Sequence, residues 1–81
     1  MERAQIKRET ADVYLKEIWN ERIERKIDKK VLKGKSRVEV SAFYYQHSSE
    51  MLARIGRAYG YDIELYAPLT PFGRYKLMIM W

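Results

Sequence analysis

The sequence predicts an α+β fold: a single small domain in the order α-β-α-β-β, with a three-stranded mixed sheet and two helices packed on one face of it. Three observations carry this. Residues 4–33 contain neither proline nor glycine and place an apolar residue at every fourth position over their second half. Three later segments alternate apolar and polar residues. A glycine follows each helical pattern, at Gly34 and at Gly60, where a left-handed carboxyl cap is expected. A length of 81 residues supports one domain, 1–81, made of a long amphipathic helix over 1–33 and a β-α-β-β unit over 36–81.

In the first helix the stripe is Leu15, Trp19, Ile23, Ile27 and Val31, with Ala11 and Ile18 beside it. Surface charge adds little, since Glu21 attracts Arg25 one turn on while Glu17 repels Glu21, so tertiary packing has to hold the helix. The segment SRVEVSAFYY then alternates, with Val38, Val40, Ala42 and Tyr44 on the buried side and Arg37, Glu39, Ser41 and Phe43 on the other. The second helix is expected to begin near Ser48 or Ser49, either of which can cap it, with Glu50 in its first turn. Its buried face reads Met51, Leu52, Ile55, Ala58 and Tyr59, and Tyr61 closes the glycine-capped end.

The strand YDIELYA sends Tyr61, Ile63, Leu65 and Ala67 one way and Asp62, Glu64 and Tyr66 the other. Two prolines and a glycine make PLTPFG a loop. The last strand, RYKLMIMW, divides into Tyr75, Leu77, Ile79 and Trp81 against Arg74, Lys76, Met78 and Met80. A strand, a helical crossover and a second strand should be parallel, and the last two strands form a hairpin. Because the last strand is apolar on both faces it suits the centre, giving the spatial order 1-3-2. Gly56 is expected to serve packing, and Gly73 a turn.

Function is bounded by what is missing. With no cysteine, disulfides and thiolate metal sites are excluded, which favours a reducing, cytoplasmic setting. No apolar run approaches a membrane span or the core of a signal peptide. Phosphate-binding loops, dinucleotide fingerprints, zinc-ligand spacings and nucleophile elbows do not occur. His47 is the sole histidine and has no acid, base or nucleophile at motif spacing. Asp62 and Glu64 share a strand face, but two carboxylates do not make a metal site. The expectation is a protein that is not an enzyme, needs no cofactor and acts by binding.

Two surfaces are candidates. The net charge of +5 is concentrated in residues 25–37, where Arg25, Lys26, Lys29, Lys30, Lys33, Lys35 and Arg37 face one acid, Asp28. Such a cluster binds polyanions, or it only answers the dipole at the helix carboxyl end. Joined by Arg54 and Arg57 from the second helix, it would make a sequence-tolerant nucleic-acid binder. The other candidate is the sheet face left bare by the helices, expected to carry Phe43, Tyr66, Met78 and Met80, with Phe72 at the loop tip. A small monomer rarely leaves that much apolar surface wet, so the face reads as a protein interface, with a second copy covering it when the partner is absent. A one-residue offset through a bulge would instead reverse the face assignment.

The run from Lys33 to Trp81 resembles small uncharacterised phage-encoded α/β proteins, in which a helix ends in Gly-Lys, a short strand follows, a helix ends in Gly-Tyr and a final strand closes on Trp. Gly34, Lys35, Gly60, Tyr61 and Trp81 are the matching positions. No activity carries over from that group, which has none assigned; the expectation is a phage-like accessory protein of inhibitor or regulator type that binds another macromolecule, with a host or defence protein as the expected partner and no membrane association. The element order is also similar to that of small single-stranded nucleic-acid-binding domains marked by an Arg-x-x-x-His pair. That pair is not present here, since Ala58 stands four residues after Arg54.

Overall fold

A computed structural model describes the backbone of residues 3–81, with side chains described for Arg3 and from Ala11 onward. Met1 and Glu2, which the expected helix over 1–33 would include, lie outside the described residues. The chain forms α1 (Arg3–Ile18), a π-helical turn (Trp19–Ile23), α2 (Glu24–Leu32), β1 (Arg37–Ser41), α3 (Gln46–Ala58), β2 (Asp62–Tyr66) and β3 (Lys76–Met80). From α1 to α2 the helix is continuous. Thirty residues at 1.5 Å each span about 45 Å, which matches the 46 Å long axis of the molecule.

The π turn follows from the spacing of the apolar stripe. Four residues of α-helix turn through about 400°, so a strict repeat of four drifts by roughly 40° at each step. A stripe spaced four, three, four would stay on one face. This chain has four, four, four, and the surplus residue is absorbed between Trp19 and Ile23, where the Glu24 N–H reaches back to the Trp19 carbonyl. Leu15, Trp19, Ile23 and Ile27 are all buried as a result. Beyond α2's first turn nothing corrects the drift, and Val31, expected in the stripe, is 50% exposed.

Both helices end as the glycines predict. Gly34 has φ of +75° and Gly60 of +96°. The N–H groups of Gly34 and Lys35 bond to the carbonyls of Val31 and Lys30, and those of Gly60 and Tyr61 to Arg57 and Gly56. The start of α3 differs from the expectation. The helix begins at Gln46, after an extended Tyr45, with no side-chain cap. Ser49 lies inside the helix and is fully buried. Its hydroxyl accepts the Phe43 N–H at 3.1 Å and donates to the Tyr45 carbonyl at 3.0 Å, so it ties down the β1–α3 connection. The buried face of α3 is Leu52, Ala53, Ile55 and Gly56, while Ala58 and Tyr59 are exposed.

The strand order is β1-β3-β2, as expected, with β1 and β2 parallel to one another. The sheet is nonetheless not mixed. β3 stands between the two and is antiparallel to both, so every ladder is antiparallel. Val38, Ile79 and Ile63 form one buried row and Val40, Leu77 and Leu65 the next, beneath the helices.

Trp19 is the centre of the core. It has no solvent exposure and packs edge-on to Tyr59 and tilted against Tyr61, at centroid separations of 6.1 and 5.7 Å. Its indole N–H donates to Glu24 Oε2 at 2.7 Å, and the Tyr61 hydroxyl donates to Glu24 Oε1 at 2.5 Å. One carboxylate therefore satisfies two half-buried donors from opposite sides of the helix–sheet contact. Gly56 makes the slot possible, because a Cβ there would overlap both the Trp19 ring and Ile63 Cδ1.

Two outcomes are expected. Gly56→Ala should lower the unfolding free energy by about 1–3 kcal/mol through overpacking, read by urea denaturation. The Glu24 hydrogen bond, followed by burial, raises the Tyr61 pKa to about 12. The folded protein thus holds this proton more tightly than the unfolded chain, whose tyrosine titrates near 10. The stabilisation is complete below pH 10 and is lost as pH rises through about 12. Tyr61→Phe should melt at a lower temperature at neutral pH and lose part of the decline in stability on the alkaline side.

Candidate functional site

The pairing fixes what lies on the outer face of the sheet. Across the three strands its rows are Arg37, Met80 and Asp62; then Glu39, Met78 and Glu64; then Ser41, Lys76 and Tyr66. Met78 and Met80 are half-buried between charged neighbours. Lys76 pairs with Glu39 at 3.4 Å, and the Tyr66 hydroxyl bonds to Glu64, which raises its pKa. Leu77 and Ile79 point to the helices and are fully buried, so the predicted register is correct.

Phe43, however, does not belong to this face. Tyr75 receives the Ala42 N–H at 2.7 Å and gives its own N–H to the Phe43 carbonyl at 2.9 Å. Two residues of one segment thus oppose one residue of the other, the count of a β-bulge. Alternation stops at Ala42, and Phe43 turns in to pack against the core. Tyr44, expected on the buried side, is exposed for the same reason. Phe72 stands clear of the sheet at the loop tip, 88% exposed, next to a fully exposed Leu69.

The basic residues divide. Arg25, Lys26 and Lys29 are exposed on α2, Lys30 is half-buried there, Lys33 is exposed just past its end, and Lys35 and Arg37 lead into β1. Arg54 and Arg57 do not join them. Arg57 donates to the Ile63 carbonyl at 2.8 Å. That carbonyl faces the free edge of β2, on the other side of the sheet, so Arg57 satisfies an edge group. Arg54 lines a groove between α1 and α3, together with Asp12 and Lys16.

What does gather is a set of cations along the free edge of β1. The Ala42 N–H and the Ser36 carbonyl bond to β3, so the backbone groups of Arg37, Glu39 and Ser41 face outward. Two clefts flank this edge. One, of about 410 Å³, is lined by Lys30, Lys35, Arg37, Val38, Glu39 and Met78. The other, of about 340 Å³, lies between the helix and the end of β1, with Arg22 and Lys26 on one wall and Arg74 on the other. Tyr14 and Phe43 line the second cleft, and the Arg74 guanidinium lies 4.9 Å from the centroid of the exposed Tyr44 ring. The line from Arg37 to Phe43 runs about 20 Å.

Arg22 and Arg74 were missed by reading the sequence for runs of charge. Arg22 stands four residues before Lys26, on the same helix face, and that spacing is a usable signal. Arg74 is brought in by the bulge and the loop. His47 is exposed and lines an apolar cleft with Ala11, Tyr14, Leu15, Phe43, Ser48 and Met51, and no acid is among these described lining residues. Among the described residues no group of three histidine, aspartate or glutamate side chains converges, and no helix is long and apolar enough to cross a membrane.

No protein-family model, curated protein or solved structure matches the chain.

The two faces of β3 give a direct check of the register. Leu77→Ala should lower the unfolding free energy by about 2–5 kcal/mol. Met78→Lys, which places a cation between Glu39 and Glu64, should cost less than about 1 kcal/mol. The reverse order in denaturant melts would mean the sheet faces are exchanged.

Proposed function

We propose that this chain is a non-catalytic binding module for single-stranded nucleic acid, engaged along the free edge of β1. The observation that carries the reading is that six cations from separate segments, Arg22, Lys26, Lys30, Lys35, Arg37 and Arg74, converge on the two clefts beside that edge. Glu39 is the one carboxylate among their described lining residues, and Lys76 already pairs with it. Phosphates brought to this line release condensed counterions, the main source of affinity in such complexes. Tyr14, Phe43 and Tyr44 lie at the same end and offer ring faces on which unstacked bases can lie. That need for unstacked bases favours a single strand over a duplex, and contacts to the backbone predict little sequence preference.

A protein partner is the second reading, of the kind suggested by the resemblance to phage accessory proteins. Leu69 and Phe72 favour it, as two large apolar side chains fully open at the tip of the β2–β3 loop. With charge distributed around Met78 and Met80, the loop tip rather than the sheet face would be its anchor.

Fluorescence anisotropy with a labelled oligothymidylate tests the first reading. Affinity should fall with salt, at a slope of log K on log salt of about −2 to −4. Replacing Lys26, Lys30, Lys35 and Arg74 together by glutamine should weaken binding and flatten the slope by about 2–3, while Arg54→Gln leaves both unchanged. Binding that is indifferent to salt and to the four replacements would contradict the proposal.

A further inference from the structure

We infer that the cleft between the π turn and the end of β1 is a nucleotide pocket, with the base against the Tyr14 and Phe43 rings and the phosphate held by Arg22, Lys26 and Arg74. The inference deepens the nucleic-acid reading and rests on it. Three described clefts carry two or more cations, and they differ in their acids. The cleft of Lys30, Lys35 and Arg37 contains Glu39, and the groove of Lys16 and Arg54 contains Asp12. The cleft of Arg22, Lys26 and Arg74 has no carboxylate among its described lining residues, so those residues do not offset its field from within, which favours a doubly charged group.

The walls hold these charges at defined places. Arg22 and Lys26 are four residues apart and share a helix face across the end of the π turn. Arg74 comes from the opposite wall, fixed from both sides. Its neighbour Tyr75 exchanges backbone hydrogen bonds with Ala42 and Phe43, and its guanidinium rests over the Tyr44 ring. The aliphatic residues behind them, Ile23, Val40, Ala42 and Leu52, are themselves buried, so the accessible apolar surface of the cleft comes from Tyr14, Ile18 and Phe43.

This polarity selects the ligand class. Inorganic phosphate would use the cations and leave the aromatic rings uncovered, and an uncharged ring would do the opposite. A volume of about 340 Å³ is at the small end of ligand sites, about 300–1,000 Å³, which suits a compact ring system better than an extended acyl chain. Phe43 and Tyr14 at the mouth add planar faces. A nucleoside phosphate satisfies the rings and the cations together. It can be a free nucleotide or one unstacked nucleotide of a strand.

Amide chemical shifts recorded during titration with AMP, adenosine, inorganic phosphate and a short oligoadenylate test the inference. AMP should move the amides of Val40, Ala42, Phe43 and Arg74, and should bind at least about tenfold more tightly than adenosine or phosphate. Lys26→Gln and Arg74→Gln should each weaken AMP about fivefold to tenfold with the melting temperature unchanged. Oligoadenylate binding more tightly than AMP through the same amides assigns the pocket to a strand, and equal affinity assigns it to a free nucleotide. If phosphate matches AMP, or if these amides stay still, the pocket is refuted. Oligonucleotide binding that persists through other amides would then leave the broader nucleic-acid reading standing without it.

Discussion

Trp19 meets Gly56, and the rest of the molecule is arranged around that contact. A fully enclosed indole needs a place where two elements approach closely, and α3 provides it by omitting a side chain at the point where the ring lies. The ring then brings α1 and the π turn against α3 and β2. Its N–H needs a partner inside the core, and Glu24, five residues on, supplies it only because the helix has taken up an extra residue. The same carboxylate receives the Tyr61 hydroxyl, which fixes the end of α3 and the start of β2. The Trp81 ring closes on Tyr61 from the last strand.

The consequence reaches the surface. Because the π turn keeps Ile23 and Ile27 buried, α2 lies along β1 with Arg22, Lys26 and Lys30 toward the strand's open edge. The two edges of the sheet are treated differently. At β2, Arg57 is spent on a backbone carbonyl. At β1 the cations stand around the edge without an ion pair among the described residues, which is what a surface for an anionic chain requires. An ordinary protective role, discouraging a second strand from adding, is served by the same charges. The aromatic residues beside them are what the protective role does not explain.

Much of the fold was legible because it rests on local chemistry. Gly34 and Gly60 marked two helix ends, alternation in β2 and β3 gave the buried rows, and the doubly apolar β3 identified the central strand. Two of the failures share a cause, a single extra residue. In the first helix the sequence shows a repeat of four, but whether the surplus becomes a π turn or exposes the stripe depends on Trp19 finding its slot. At the end of β1 the bulge opposite Tyr75 moves Phe43 from one side to the other, and nothing local to SAFYY announces it. Ser49 looked like a cap because serine usually is one; its burial comes from the backbone of a connection that folds over it. The site was legible as a charge run but not as a place, since Arg22 and Arg74 join it, and Arg54 and Arg57 leave it, through tertiary contacts.

The location of bound nucleic acid is the central claim, and photocrosslinking tests it most directly. A short single strand carrying 4-thiouridine, irradiated with the protein and digested, should leave its adduct on the peptide containing Phe43 and Tyr44 or on that containing Tyr14. Adducts confined to Tyr66, Phe72 or Trp81, or no adduct at a protein concentration that saturates binding, would contradict the account.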